Sequence, residues 1–332
     1  MTSALPFDDF RQLLAKLPGP DEAAAQRVRD LFAAAGAGGG TLGRVEDIAA
    51  WLAAWSGRAP PAIQRPLVAV FAGNHGVARH GISTRRVEET AEAVELCAAG
   101  GAPVNLACLA HDLGLKVFDL ALHLPSGDIT REAALDERGC AATMAFGMEA
   151  LAGGTDLLCL GAMGTGSRTV AAALFAAVFG GGGADWIGMN DESDGDTTAH
   201  SVAAIDAALA FHDRHLADPL EALRRVGGRE FAALTGAILA ARMQKVPVLL
   251  GGHAALAAAA VLHAANPTAL DHCLLASLPP QPGPRKAAER LGLVPLLDLG
   301  IDHGGGFDSA LAAGLVKAAA LTSSGTAATL GR

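Results

Sequence analysis

Residues Thr155–Ala177 read "TDLLCLGAMGTGSRTVAAALFAA", and the order of textures in that stretch decides the architecture. Leu157–Leu160 is apolar without alternation, as in a strand covered on both faces. Gly161, Gly164 and Gly166 then break the run as a turn, and Val170–Ala177 continues as an apolar helix. Strand, glycine turn, helix is half of a βαβ unit.

Five more runs share the first texture: "PLVAVFAGNHG" (Pro66–Gly76), "LKVFDLAL" (Leu115–Leu122), "VPVLLGGHA" (Val246–Ala254), "HCLLASLPP" (His272–Pro280) and "LVPLLDLGI" (Leu293–Ile301). Helical patterns of 10–20 residues separate most of them, including one read as continuous from Val87 to Asp112. The expectation is an α/β fold: a Rossmann-like, mostly parallel sheet flanked by helices. Residues 1–60 read as helices interrupted at Gly36–Gly40. In open parallel sheets ligands sit beyond the carboxyl ends of the strands. The chemistry is therefore expected at "GNHG", "GAMGTGSRT", "GGHA" and "GIDHGGGFD", where glycines and polar groups meet.

The 332 residues carry 25 Lys and Arg against 34 Asp and Glu, a net charge of −9, with no basic run longer than a pair. That balance argues against nucleic acid and anionic membranes as partners and for small molecules. Aromatic residues are only 4% and Tyr is absent, so the core must be Ala, Leu and Val. No apolar stretch reaches about 20 clean residues, so no membrane span is expected. The N-terminus has early acids and no basic region, unlike a signal peptide. Five cysteines without a C-x-x-C pair fit reduced thiols in a cytoplasmic protein.

Within the central stretch, Gly161, Met163, Gly164, Thr165, Gly166, Ser167, Arg168 and Thr169 form a candidate phosphate-binding loop. Glycines admit a close backbone approach, and a helix start offers N–H groups and a positive dipole end to an anion. The spacing G-x-x-G-x-G is neither the P-loop nor the dinucleotide fingerprint, so no ATP or NAD cofactor is expected. Asn74, His75 and Ser83 lie just past a strand end as candidate pocket residues. No H-x-x-x-H, H-E-x-x-H or G-x-S-x-G is present, and no metal site is expected. The acidic run Met189–Thr198 reads as a solvated loop.

Taken together, "GGTLGRVEDIAAWLA", "VFAGNHGVARHGIS", "GGAPVNLACLA", "LLCLGAMGTGSRTVAAAL", "DPLEALRRVGGREFAALTGAILAA", "PVLLGGHA" and "RLGLVPLLDLG" resemble the nicotinate-nucleotide:dimethylbenzimidazole phosphoribosyltransferase family, collinearly from about residue 20 onward. The resemblance implies a large domain over 63–304 carrying the ligand site. It also implies a small helical domain from both chain ends, 1–62 plus 305–332, and usually a homodimer. It implies transfer of the ribose phosphate of nicotinate mononucleotide to a benzimidazole-type base in building the lower ligand of cobalamin. Its partners would thus be a nucleotide and an aromatic base.

The resemblance fails at ionisable positions. The family's catalytic Glu, in a motif like G-L-R-L-G-E-G-T-G-A-A-L, aligns with Gly305, and Ala162 replaces a Glu in the phosphate loop. Gly251 and His253 stand where Asp and Phe are usual, Asn74 replaces an Asp, and a Lys expected near Ser201 is missing. Asp308 and His303 are the local candidates to take the proton instead; a general base must reach that proton directly or through one water, and His303 belongs to the residue type that titrates near neutrality. His253 joins Asn74, His75 and Ser83 as a base-pocket candidate. Two other readings stand beside the enzyme: a non-catalytic paralogue that binds a ribotide or base or partners an active subunit, and a metal-dependent enzyme using His75, His253, His303 and Asp302.

Overall fold

A computed structural model describes residues 5–36, 40–187 and 195–331. Six strands form one sheet: β1 (Pro66–Ala72), β2 (Gly114–Asp119), β3 (Leu157–Met163), β4 (Val248–Leu250), β5 (Cys273–Ser277) and β6 (Pro295–Leu297). Their order is β2-β1-β3-β4-β5-β6, and every pairing is parallel. Each of the six strand expectations is met, at shorter length for β4 and β6.

The strands are apolar throughout because both faces are covered. On one face Leu67, Ala69 and Phe71 of β1 join Leu158 and Leu160 of β3 in a core with the central helices. On the other face Val68 and Val70 join Leu157 and Cys159 and the helices of the two chain ends. This period-two split is the strand's side-chain alternation. Each of these Val, Leu or Phe side chains contributes about 1.5–3 kcal/mol by leaving water.

The described helices are α1 (Asp8–Leu14), α2 (Glu22–Ala34), α3 (Arg44–Ser56), α4 (Glu89–Ala98), α5 (Pro103–His111), α6 (Glu137–Met148), α7 (Ser167–Phe179), α8 (Gly183–Trp186), α9 (Gly195–His212), α10 (Pro219–Val226), α11 (Arg229–Gln244), α12 (Gly252–Ala265), α13 (Pro282–Arg290) and α14 (Phe307–Thr329). Helices α2, α3 and α14 pack together against the second sheet face, which brings the two chain ends side by side.

Two expectations need correction. The helix read through 87–112 is two helices, because Gly100 turns left-handed (φ +78°) and Pro103 opens the second; Pro fits the first helical turn because that N–H has no intrahelical partner anyway. Residues 89–111 have the length and apolar composition of a membrane crossing, but not as one helix. Of the acidic run 189–198, residues 189–194 lie outside the described residues, and 195–198 start α9 instead of continuing a loop.

Candidate active site

The glycine turn that follows β6 answers to a backbone-to-backbone contact. Gly305 and Gly306 hold φ of +80° and +78°, where a side chain is strained. Gly305 N–H donates to Ala162 O at 2.9 Å, and a Cβ at Gly161 would collide with the backbone of Gly306. The turn thus lies directly on the end of β3, and α14 starts from it.

A cavity of about 320 Å³ opens at the carboxyl ends of the strands, as the topology requires. Its walls are the loop Met163–Gly166 with the start of α7, the turn 301–306 with Asp308, Ile82–Arg85 with α4, and the start of α12. That volume lies in the range for small-molecule sites, roughly 300–1,000 Å³.

All eight phosphate-loop candidates come together at β3 and α7, though several side chains are already engaged. Thr165 donates its hydroxyl to Arg86 O (2.9 Å), Thr165 N–H donates to Thr90 Oγ1 (3.2 Å), and Thr169 shares a hydrogen bond with Ser201 (3.0 Å). The first turn of α7, with the Arg168 side chain, also lines the cavity. Arg168 pairs with Asp302 at 2.6 Å, joining α7 to the turn 301–306.

Ser83 and His253 line the cavity, and so do His303 and Asp308. Burial, together with the Arg168 charge, lowers His253 to about 4, so it is neutral, and its Nε2 meets Gln281 Oε1 at 3.0 Å. Burial and then the charge of Arg85 lower His303. The Asp308 carboxyl is nearly sealed from solvent, and burial pushes it up to about 7 against backbone N–H donors that pull it down. Its Oδ2 accepts from Gly252 N–H at 2.9 Å. Its Oδ1 has no hydrogen-bond partner and fills the space that a Gly251 side chain would need, 2.7 Å from a Cβ there.

Asn74 and His75 do not reach the cavity wall; both belong to the layer behind it. Asn74 donates to Leu122 O (3.1 Å), and Gly76 N–H, bonded to Ser126 O (2.9 Å), turns the chain inward after β1. His75, 2% exposed, puts Nε2 2.6 Å from Oε1 of Glu230, a carboxyl wholly removed from solvent. His75 therefore stands apart from His253 and His303. Among the described residues no three His, Cys, Asp or Glu side chains come together as metal ligands.

Sequence reasoning passed over Glu230. It sits in "GGRE" at the start of α11, where an acid is ordinary because it faces the helix dipole. The available signal was the pair of glycines before it: Gly228 leaves room for the His75 ring, 2.6 Å from a Cβ.

A family model described as phosphoribosyltransferase matches residues 17–329. Among similar proteins, the nicotinate-nucleotide–dimethylbenzimidazole phosphoribosyltransferase of Rhizobium meliloti (strain 1021) is 59% identical over 325 residues, covering 98% of this chain and 96% of that protein. The protein of the same name from Brucella anthropi is 58% identical over 325 residues, with the same coverage. Among solved structures, the enzyme of that name from Thermus thermophilus superposes with a TM-score of 0.79 at 29% identity, covering 96% of this chain and 95% of that one. With the family model matched over residues 17–329 and 59% identity across 98% of its length, the chain belongs to the nicotinate-nucleotide–dimethylbenzimidazole phosphoribosyltransferase family.

Proposed function

We propose that this chain moves the ribose phosphate of nicotinate mononucleotide to a benzimidazole-type base, as its relatives' names describe, and so acts as a pentosyltransferase of the cobalamin lower-ligand pathway. The observation that carries the reading is that the α7 start and Asp308 line one cavity. The first turn of α7 and Arg168 would hold the phosphate, with Asp302 giving up Arg168 to it. The base nitrogen attacks C1′, the C1′–N bond to nicotinate breaks, and an α-riboside phosphate results. The N–H proton of the base goes to Asp308. A carboxyl raised toward neutrality suits that step, because a base works best when its pKa lies near the working pH.

In this reading Gly305 stands at the position that the resembled family motif gives to its catalytic Glu, and the acid has moved three residues along to Asp308, whose free oxygen lies against the bare Gly251. His303 on the cavity wall is the second candidate for the proton. His253 and Ser83 would border the base, and Asn74 and His75 would support that wall from behind. Residues 1–62 with 305–332 would act as a small helical unit beside the body 63–304. The buried, unpaired thiols of all five cysteines support a cytoplasmic setting.

Turnover of nicotinate mononucleotide with dimethylbenzimidazole, read as the α-riboside phosphate, tests the assignment. Wild-type turnover is the expected result. A silent wild type beside an active Gly305→Glu variant would mean a binding scaffold that has lost its acid, and overturns it.

The same reading includes a homodimer. Leu96, Leu106 and Leu109 on α4 and α5 expose large apolar side chains, Leu109 at 80%, and Leu96 lines the cavity. Large exposed apolar side chains clustered on two successive helices support an interaction surface there. Sedimentation velocity should give a dimer for the wild type and a monomer for Leu109→Glu; a monomeric wild type removes the dimer.

A further inference from the structure

Behind the cavity wall lies a hydrogen-bonded group that the proposed chemistry does not use. Glu230 Oε1 receives two bonds, from His75 Nε2 at 2.6 Å and from the Ser167 hydroxyl at 2.8 Å. Ser167 Oγ is also 3.3 Å from the same imidazole nitrogen. Gly73 and Gly164 keep the space around the carboxyl clear: a Cβ at Gly73 would strike Oε2, and one at Gly164 would come within 3.2 Å of Oε1. Of the three residues, only Ser167 lines the cavity.

A serine hydroxyl has one proton to donate and two lone pairs to accept with. Here the proton is committed inward, 2.8 Å from Oε1 of a carboxyl fully removed from solvent. Toward the cavity Ser167 therefore offers lone pairs alone. Its surroundings offer the opposite: the Arg168 guanidinium and the N–H groups of the first turn of α7, which a helix leaves without intrahelical partners, are donors. A phosphate dianion has no hydrogen to give and is repelled by an acceptor. A sugar hydroxyl has one.

Resting on the phosphoribosyl reading above, we infer that Ser167, its proton locked inward by Glu230 and His75, accepts a hydrogen bond from a ribose hydroxyl and makes this site selective for ribose over deoxyribose. Glu230 is then a positioning residue, acting through Ser167. A buried acceptor built for a hydroxyl discriminates against the ligand that lacks it, because the acceptor is left unpaired.

The test is calorimetric binding of nicotinate mononucleotide and of its 2′-deoxy and 3′-deoxy analogues. The wild type should bind the parent at least ~10-fold more tightly than one of the two analogues. Ser167→Ala should bring that ratio to about 1, and Ser167→Thr, which keeps the hydroxyl, should retain it. In Glu230→Gln the ratio should fall even though Ser167 is still present, because an amide N–H can donate to Ser167 and release its proton outward. Equal binding of all three ligands by the wild type overturns the inference, as does a ratio that survives Ser167→Ala. A Glu230→Gln ratio equal to wild type removes the positioning role. Failure of the wild type to bind any of the three nucleotides is a different result: it refutes the phosphoribosyl reading itself.

Discussion

Gly164→Asp is expected to abolish nucleotide binding, with a loss of at least ~100-fold in affinity for nicotinate mononucleotide. Two effects act together. A Cβ at 164 would collide with the Gly73 carbonyl and come within 2.5 Å of Ser167 Oγ, so the loop between β3 and α7 must shift. Backbone is the unyielding partner here, since Gly73 N–H is bonded to Met163 O at 3.0 Å and holds the two loops together. The new carboxylate then stands between an incoming phosphate and the start of α7. It also places a charged group close to the buried Glu230 carboxyl, whose Oε1 lies 3.2 Å from a Cβ at 164. Overpacking of this kind costs about 1–3 kcal/mol, so the variant should still fold, with a lowered urea midpoint. Gly19→Asp is the matching control, because nothing lies within 4 Å of a Cβ there. Undiminished nucleotide affinity in Gly164→Asp would remove the loop from the binding site.

Much of this architecture is legible because strands buried on both faces leave a plain trace. Val68 and Val70 face one core while Leu67, Ala69 and Phe71 face the other, and the run ends at Gly73, where the loop begins. Such runs locate the sheet and the strand ends, hence the cavity. The break between α4 and α5 is less visible, because apolar spacing continues through both and only Gly100 and Pro103 mark the turn. Side-chain direction is not legible at all. His75 follows a strand end in sequence just as a pocket residue would, yet the isolated bridge between His75 and Ser126 turns it toward the core. Glu230 and Asp308 each open a helix as acids commonly do. What sets them apart is the space left by glycines far away in sequence: Gly73 and Gly164 for Glu230, Gly251 for Asp308. A missing side chain at one position admits a carboxyl from another, and only the assembled fold pairs them.

Asp308→Asn is expected to lower turnover by ~10²–10⁴-fold, the range for loss of a general base, while making the protein more stable at alkaline pH. The two effects share one cause. Burial raises the carboxyl from its usual 3.8 to about 7, so in the folded protein it holds its proton until near neutrality. In the unfolded chain it ionises at about 4. The folded state therefore binds the extra proton between those values, and stability falls as pH rises from about 4 through about 7. Above about pH 7 the charge is carried inside the fold, at a cost on the order of 4 kcal/mol. An Asn keeps an oxygen to accept from Gly252 N–H and carries no charge, so its urea midpoint should exceed that of the wild type at about pH 8 and approach it near pH 4. Turnover runs the other way. Only the ionised carboxyl takes a proton, so wild-type kcat/KM should climb with pH through about 7, and that limb should vanish in the variant. A His303→Gln variant that keeps both the limb and the rate would leave the proton with Asp308. An Asp308→Asn variant that keeps wild-type turnover would transfer the role to His303, and equal stability of wild type and Asp308→Asn at about pH 8 would mean that the carboxyl is not held in its neutral form.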